Sequence, residues 1–152
     1  MAFNRTVRIR DKNDIPKFEA RLREADGVTL EIGFPGKDQE GKTLAGIAST
    51  NEFGTLHIPS RSFLRTTFDA KETQKKLDRT LKALMTLPGE SRSVENLTEA
   101  LGVTMVAEIR KKIRSNIAPP NALRTVNRKK SARTLIDTGR MLQGVDYALK
   151  GI

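Results

Sequence analysis

The sequence predicts an α+β fold in which a small mixed sheet carries several helices on one face, one of them long and spanning about residues 93–114. Three observations lead to it. Short stretches at both ends of the chain alternate apolar and polar residues, as half-buried strands do. Between them, apolar residues recur at spacings of three and four, as on helices. The length, 152 residues, suits one domain with a core of its own, taken here as residues 1–152.

The elements follow in order. Phe3, Arg5, Val7 and Ile9 alternate and suggest a first strand. Asn13 or Asp14 can cap a helix with Pro16 in its first turn, and Ile15, Phe18, Leu22 and Ala25 fall on one face of it. Asp26 and Gly27 close that helix. A strand is expected from residue 28 to 34, with Val28, Leu30, Ile32 and Phe34 on one side. A polar turn over 35–41 leads to a short helix through Leu44, Ile47, Ala48 and Phe53, stopped by Gly54. After Pro59, Phe63, Leu64 and Phe68 begin a helix expected to run on through Leu77, Leu81, Leu84 and Met85 to Pro88-Gly89. Ser93 caps the long helix, whose stripe is Val94, Leu97, Leu101, Met105, Ile109 and Ile113, and Ala118-Pro119-Pro120 ends it. Residues 121–134 read as an exposed basic loop, long enough to be functional or disordered. Asp137 is expected to cap a short helix carrying Met141 and Leu142, and Val145, Tyr147 and Leu149 alternate as a final strand. The edges of so small a sheet would be open unless neighbouring subunits cover them.

Composition narrows the chemistry. The absence of Cys excludes disulfides and Cys-based zinc sites. No apolar run approaches the ~18 residues of a membrane span, and the first ten residues lack the apolar core of a signal peptide, so the chain is expected to stay where it is made. The net charge is +10, which points to nucleic acid, an anionic surface or an acidic partner. The charge is concentrated. Arg110, Lys111, Lys112, Arg114, Arg124, Arg128, Lys129, Lys130 and Arg133 share a window with no Asp or Glu. Such a run serves as a solvated face or as a surface for DNA phosphates or an acidic neighbour. The window holds no aromatic platform for stacking bases, so contact with DNA would be blind to sequence.

Two motifs imitate active sites. Gly36, Gly41, Lys42 and Thr43 match G-x-x-x-x-G-K-[ST] after an expected strand and before an expected helix. In a phosphate-binding loop, the amides would cradle phosphates, Lys42 would reach the terminal ones and Thr43 would hold magnesium. The remaining parts are thin. Asp137 is the one candidate for a second magnesium-holding acid, there is no run of alternating strands and helices, and Asp38 and Glu40 would repel phosphate. A hairpin-like turn is the expectation. Asp137-Thr138-Gly139 matches the aspartic protease tripeptide, but a helix cap explains it better. One His, His57, and no Cys leave little for nucleophilic catalysis, and no carboxylate cluster has metal-ligand spacing.

Two longer stretches carry a resemblance. Asn51-Glu52-Phe53-Gly54-Thr55 follows Ile47-Ala48 and precedes Ile58-Pro59-Ser60-Arg61-Ser62-Phe63-Leu64-Arg65. Further on, Leu123-Arg124-Thr125-Val126 leads through Lys129-Lys130 to Thr134-Leu135-Ile136-Asp137-Thr138-Gly139-Arg140-Met141-Leu142. Together they resemble the tail-completion, or neck, proteins of tailed phages, also called virion morphogenesis proteins. Ser62 and Thr134 depart from it, since Pro is common at both places. The resemblance implies a non-enzymatic virion protein at the head–tail junction, made and assembled in the host cytoplasm, with no cofactor. It implies a ring, expected to be six-fold, between a head-side connector and a tail terminator or tail tube protein, with viral DNA passing through the lumen. On this reading Asn51, Glu52, Phe53, Gly54, Thr55, Pro59, Arg61, Phe63, Leu64, Arg65, Asp137, Thr138 and Gly139 build the domain or its interfaces. Arg124, Arg128, Lys129, Lys130 and Arg133 face DNA or a partner. Physically, Glu52-Phe53-Gly54 can end a helix with Phe53 buried and Gly54 left-handed. The alternatives are a nucleotide-binding protein using the phosphate-loop match and a stand-alone, sequence-independent DNA-binding module.

Overall fold

A computed structural model describes residues 15–85, 93–129 and 133–151. In order they form α1 (Ile15–Ala25), β1 (Thr29–Gly33), α2 (Leu44–Phe53), α3 (Phe63–Phe68), α4 (Lys71–Met85), α5 (Val94–Arg114), α6 (Leu123–Lys129), α7 (Arg140–Gln143) and β2 (Asp146–Lys150). The class is α+β, as the sequence predicts. The expected strand over residues 3–9 lies outside the described residues. Among the described residues the sheet is a two-stranded antiparallel pair, with Thr29 opposite Lys150 and Gly33 opposite Asp146.

The long helix organises everything else. Ser93 caps it by accepting from the Asn96 amide, and the Glu24 carboxylate reaches from α1 to accept from the Val94 amide at 2.8 Å. Two acceptors therefore satisfy the first turn. Its buried residues are Val94, Leu97, Thr98, Gly102, Met105, Val106, Ile109 and Ile113, a stripe at spacings of three and four. The stripe faces both strands, α3 and α7, and the core closes with Phe34, Leu44, Ala48, Phe63, Leu135, Met141 and Val145. Leu101 is only half-buried, and Tyr147 lies against the adjacent Gly102. A Cβ at Gly102 would meet that ring at 2.5–2.9 Å, so the missing side chain sets the distance between helix and sheet. Arg110 of α5 donates to the carbonyls of Gln143 and Val145 and holds the entry to β2.

Three expectations about the helices are corrected. The helix expected from Phe63 to Met85 is broken at Asp69-Ala70 into α3 and α4. At that break the Gln74 side-chain amide donates to the Phe68 carbonyl at 2.6 Å, taking up a helix-end acceptor. The long helix ends at Arg114, as the sequence predicts, and Ala118-Pro119-Pro120 follows a short way on. Its Ser115 cap is extended, and the following residues bond sideways, with the Ile117 amide on the Thr134 hydroxyl and the Thr134 amide on the Asn116 side chain. The apolar face expected on α1 is largely outside the core: Ile15 is 66% exposed while Arg21 is the buried residue. Residues 121–134 are not simply a loop, because 123–129 form α6. No helix among the described residues is long and apolar enough to cross a membrane.

Candidate functional site

The two sequence blocks are some sixty residues apart in the chain, and they meet in space. Arg61 carries the contact. Its Nε donates to the Pro119 carbonyl at 2.8 Å, and its Nη2 donates to the Pro120 carbonyl and the Asn121 side chain at 3.4 and 3.2 Å. Arg61 is 5% exposed, and its burial lowers the pKa of the guanidinium from the ordinary value. The Asn121 amide group donates in turn to the Arg133 carbonyl at 3.2 Å, so one chain of hydrogen bonds runs from the first block through the α5–α6 connection into the second.

Within the first block Glu52 is the organising residue. It sits at the end of α2, is 4% exposed, and accepts from the Leu64 amide at 2.8 Å and the Arg65 amide at 3.1 Å. One carboxylate thus takes two free amides of the first turn of α3. The Glu52 carbonyl accepts from the hydroxyls of Ser60 and Ser62. The Arg61 amide donates to the Asn51 carbonyl, and the Asn51 side chain donates back to Ile47. Phe63 is wholly buried, edge-on to Phe34 with centroids 5.8 Å apart. Gly54 has φ 77° and ψ 178°, so φ is positive as expected but the residue lies outside the left-handed helical region. A Cβ there would meet the Ser60 amide nitrogen at 2.7 Å.

Phe53 corrects the reading of this block. It is 68% exposed, because the last turn of α2 points Glu52 inward and Phe53 is one residue, about 100°, further around. Beyond it a tight turn is held by the Thr55 amide on the Ile58 carbonyl at 2.7 Å and by the Thr55 hydroxyl, which accepts from the His57 and Ile58 amides. Leu56, in this turn, is 93% exposed. Pro59 and Arg65 are exposed and Leu64 is half-buried. The sequence signal for an exposed apolar turn was present in the pairing of Phe53 with Leu56 and Ile58 around polar residues. An aromatic residue before a helix-ending glycine reads as core by its type alone, which hides that signal.

Residues 36–43 form a small hairpin-like loop. Lys37 and Thr43 pair as an isolated bridge, and Gly36 and Gly41 have φ of 93° and 80°. The Asp38 carboxylate accepts from the Glu40 and Lys42 amides at 2.9 and 2.8 Å. Lys42 turns back to Glu40 at 2.7 Å, and that pairing raises its pKa. Thr43 caps α2 by accepting from the Gly46 amide. Amides that would face phosphate in a nucleotide site are therefore held by a carboxylate of the loop itself. Asp38 was legible as a turn former, since Asp side chains bond backbone amides two residues on.

Asp137 also departs from expectation. It is exposed and caps nothing; α7 begins after Gly139, whose φ of 80° supplies the turn, and no side chain caps that helix. Asp137 and the exposed Thr138 instead line a cavity of about 200 Å³ with Asp38, Glu40, Lys129 and Arg140. A wider groove of about 920 Å³ beside it adds Lys42, Thr43 and Arg128. Lys129 is half-buried there, and its pKa is lowered by that burial, opposed by the charge of Asp137. Arg124 and Arg128 are exposed on α6, Arg133 is exposed and donates to the Arg114 carbonyl, and Lys130 lies outside the described residues. Among the described residues no group of three or more His, Cys, Asp or Glu side chains is arranged to hold a metal ion. No family model, curated protein or solved structure matches the chain.

Proposed function

We propose that the chain is a non-enzymatic structural subunit of a tailed-phage virion that joins head connector to tail as part of a ring, with DNA passing through the lumen. The observation that carries the reading is the seam between the two blocks that resemble neck proteins. Arg61 of the first is hydrogen-bonded to the segment that leads into the second. Beside the first block's part of that seam, the turn after α2, closed by the Thr55 amide on the Ile58 carbonyl, leaves Phe53 and Leu56 exposed, as an apolar contact surface for a neighbouring subunit requires. Ring closure would use heterologous contacts, so the two faces of the ring differ and can meet different partners.

The test is the place and symmetry of the chain in the particle. Density for a ring of this chain at the head–tail junction, with six copies matching the tube, is the expected result. Absence from the neck, or a different symmetry, refutes the corresponding part of the reading. A second reading, nucleotide binding, has one observation in its favour: Asp137 shares the wide groove with Lys42 and Thr43. Against it, Asp38 occupies loop amides and Lys42 is paired with Glu40. Magnesium-dependent triphosphate binding that Lys42→Ala abolishes would decide for the second reading.

A further inference from the structure

We propose that α6 is a phosphate-contacting element whose partner is the backbone of duplex DNA. The inference deepens the joining reading, on which it rests only for the source of the DNA. The first observation is that α6 forms without burying any of its seven residues; Leu123 is 82% exposed. A helix this short has little stability of its own, and like charges one turn apart weaken it further. Its place is set from outside, by Arg61 on Pro119, Pro120 and Asn121 before it and by Asn121 on Arg133 after it. The fold thus spends a buried arginine on holding a helix that contributes nothing to the core.

The second observation is what that helix presents. Arg124 and Arg128 are four residues apart, so they share a face. Both are exposed, and neither forms an ion pair with a described residue. Arg128 lines the wide groove with Asp38, Glu40 and Asp137, of which Asp38 holds the loop amides and Glu40 holds Lys42, and Arg124 lies outside that lining. Lys111 and Arg114 are exposed on the last turn of α5, and residues 109–136 contain no Asp or Glu. Both arginines therefore present their charge to solvent from a segment that supplies no acid of its own.

Charge complementarity calls for a polyanion, and the composition favours phosphate over an acidic protein. Protein interfaces centre on aromatic or Arg anchors buried in pockets, whereas Arg124 and Arg128 are exposed. No aromatic residue occurs between 109 and 146 to fill a pocket or stack on an unpaired base. Arg and Lys side chains on a helix face suit the duplex backbone, which they position without reading sequence.

The experiment uses the full chain and a short mixed-sequence duplex, titrated between about 50 and 200 mM salt. Each lost phosphate contact lowers the slope of log affinity against log salt by about 0.9. Arg124→Ala/Arg128→Ala should therefore lower it by about 1.8. Lys71→Ala/Arg79→Ala removes the same charge from exposed positions of α4 and should leave the slope nearly unchanged. AT-rich and GC-rich duplexes should bind alike. Equal losses in the two double variants would reduce the effect to net charge and overturn the proposal, as would unaltered binding in the α6 variant. Preference for polyglutamate over the duplex would overturn it in favour of an acidic protein. The outcome is separable from the assembly reading: duplex binding through α6 in a chain absent from the neck would sink the ring and keep the site.

Discussion

Replacing Glu52 tests the first block most directly, because the structure makes this acid a larger contributor to stability than the aromatic beside it. Glu52→Ala leaves the Leu64 and Arg65 amides without their acceptor in a site with little access to water. Each buried unsatisfied donor costs about 1–3 kcal/mol, so the two together are expected to cost about 2–6 kcal/mol, a large part of the stability of a domain this size. Glu52→Gln keeps one acceptor oxygen but turns an NH₂ towards the second amide, and about half that loss is expected. Phe53→Ala, at an exposed position, should cost about 1 kcal/mol or less. Urea unfolding reads the order. With a slope of about 2 kcal/mol/M, Glu52→Ala should lower the midpoint by about 2 M and Phe53→Ala by less than about 0.5 M. If Phe53→Ala were as damaging as Glu52→Ala, the assignment of Glu52 as the buried cap of α3 would be wrong.

Other expectations follow the same physics. Phe53→Ala/Leu56→Ala should fold normally yet fail to enter particles; normal incorporation, scored by particle composition, would remove the exposed turn from the joining interface. Gly102→Ala gains about 1 kcal/mol of helix propensity but must displace Tyr147, so a net loss of about 1–2 kcal/mol in chemical denaturation is expected, and a stabilised protein would contradict the packing of helix on sheet. Arg61→Lys should be destabilising, because an ammonium cannot reproduce the three-acceptor geometry around Pro119, Pro120 and Asn121; faster proteolysis within 115–133 would show it, and unchanged cleavage would refute it. Lys129 has a folded-state pKa below its unfolded value, so between the two the unfolded chain binds more protons and this residue makes stability rise with pH, in a window just below about 10.4. Lys129→Met should remove that rise, and an identical alkaline profile in both proteins would count against the burial of this charge.

Local pattern determined the helices and strands that possess one. The long helix was legible because its capping Ser93 and its apolar stripe depend only on spacing along the chain. The stop at Gly54 and the two described strands were legible for the same reason, since alternation and a required positive φ are properties of a few adjacent residues. The turn over 36–43 could be read from its glycines and its Asp. Tertiary structure decided what the residues do to one another across the chain. Which neighbour in Glu52-Phe53 faces inward depends on where α3 lies, because only a helix start within reach gives a buried carboxylate its amides. The role of Arg61 is equally invisible in sequence: its acceptors are backbone carbonyls some sixty residues away, and any residue type can supply a carbonyl. The formation of α6 from a segment with a loop-like composition, and the release of Asp137 from capping into a groove opposite residues 38–43, have the same origin. Hydrogen bonds and charges act over a few ångströms in space, and periodicity along the chain carries no record of which distant segments that space brings together.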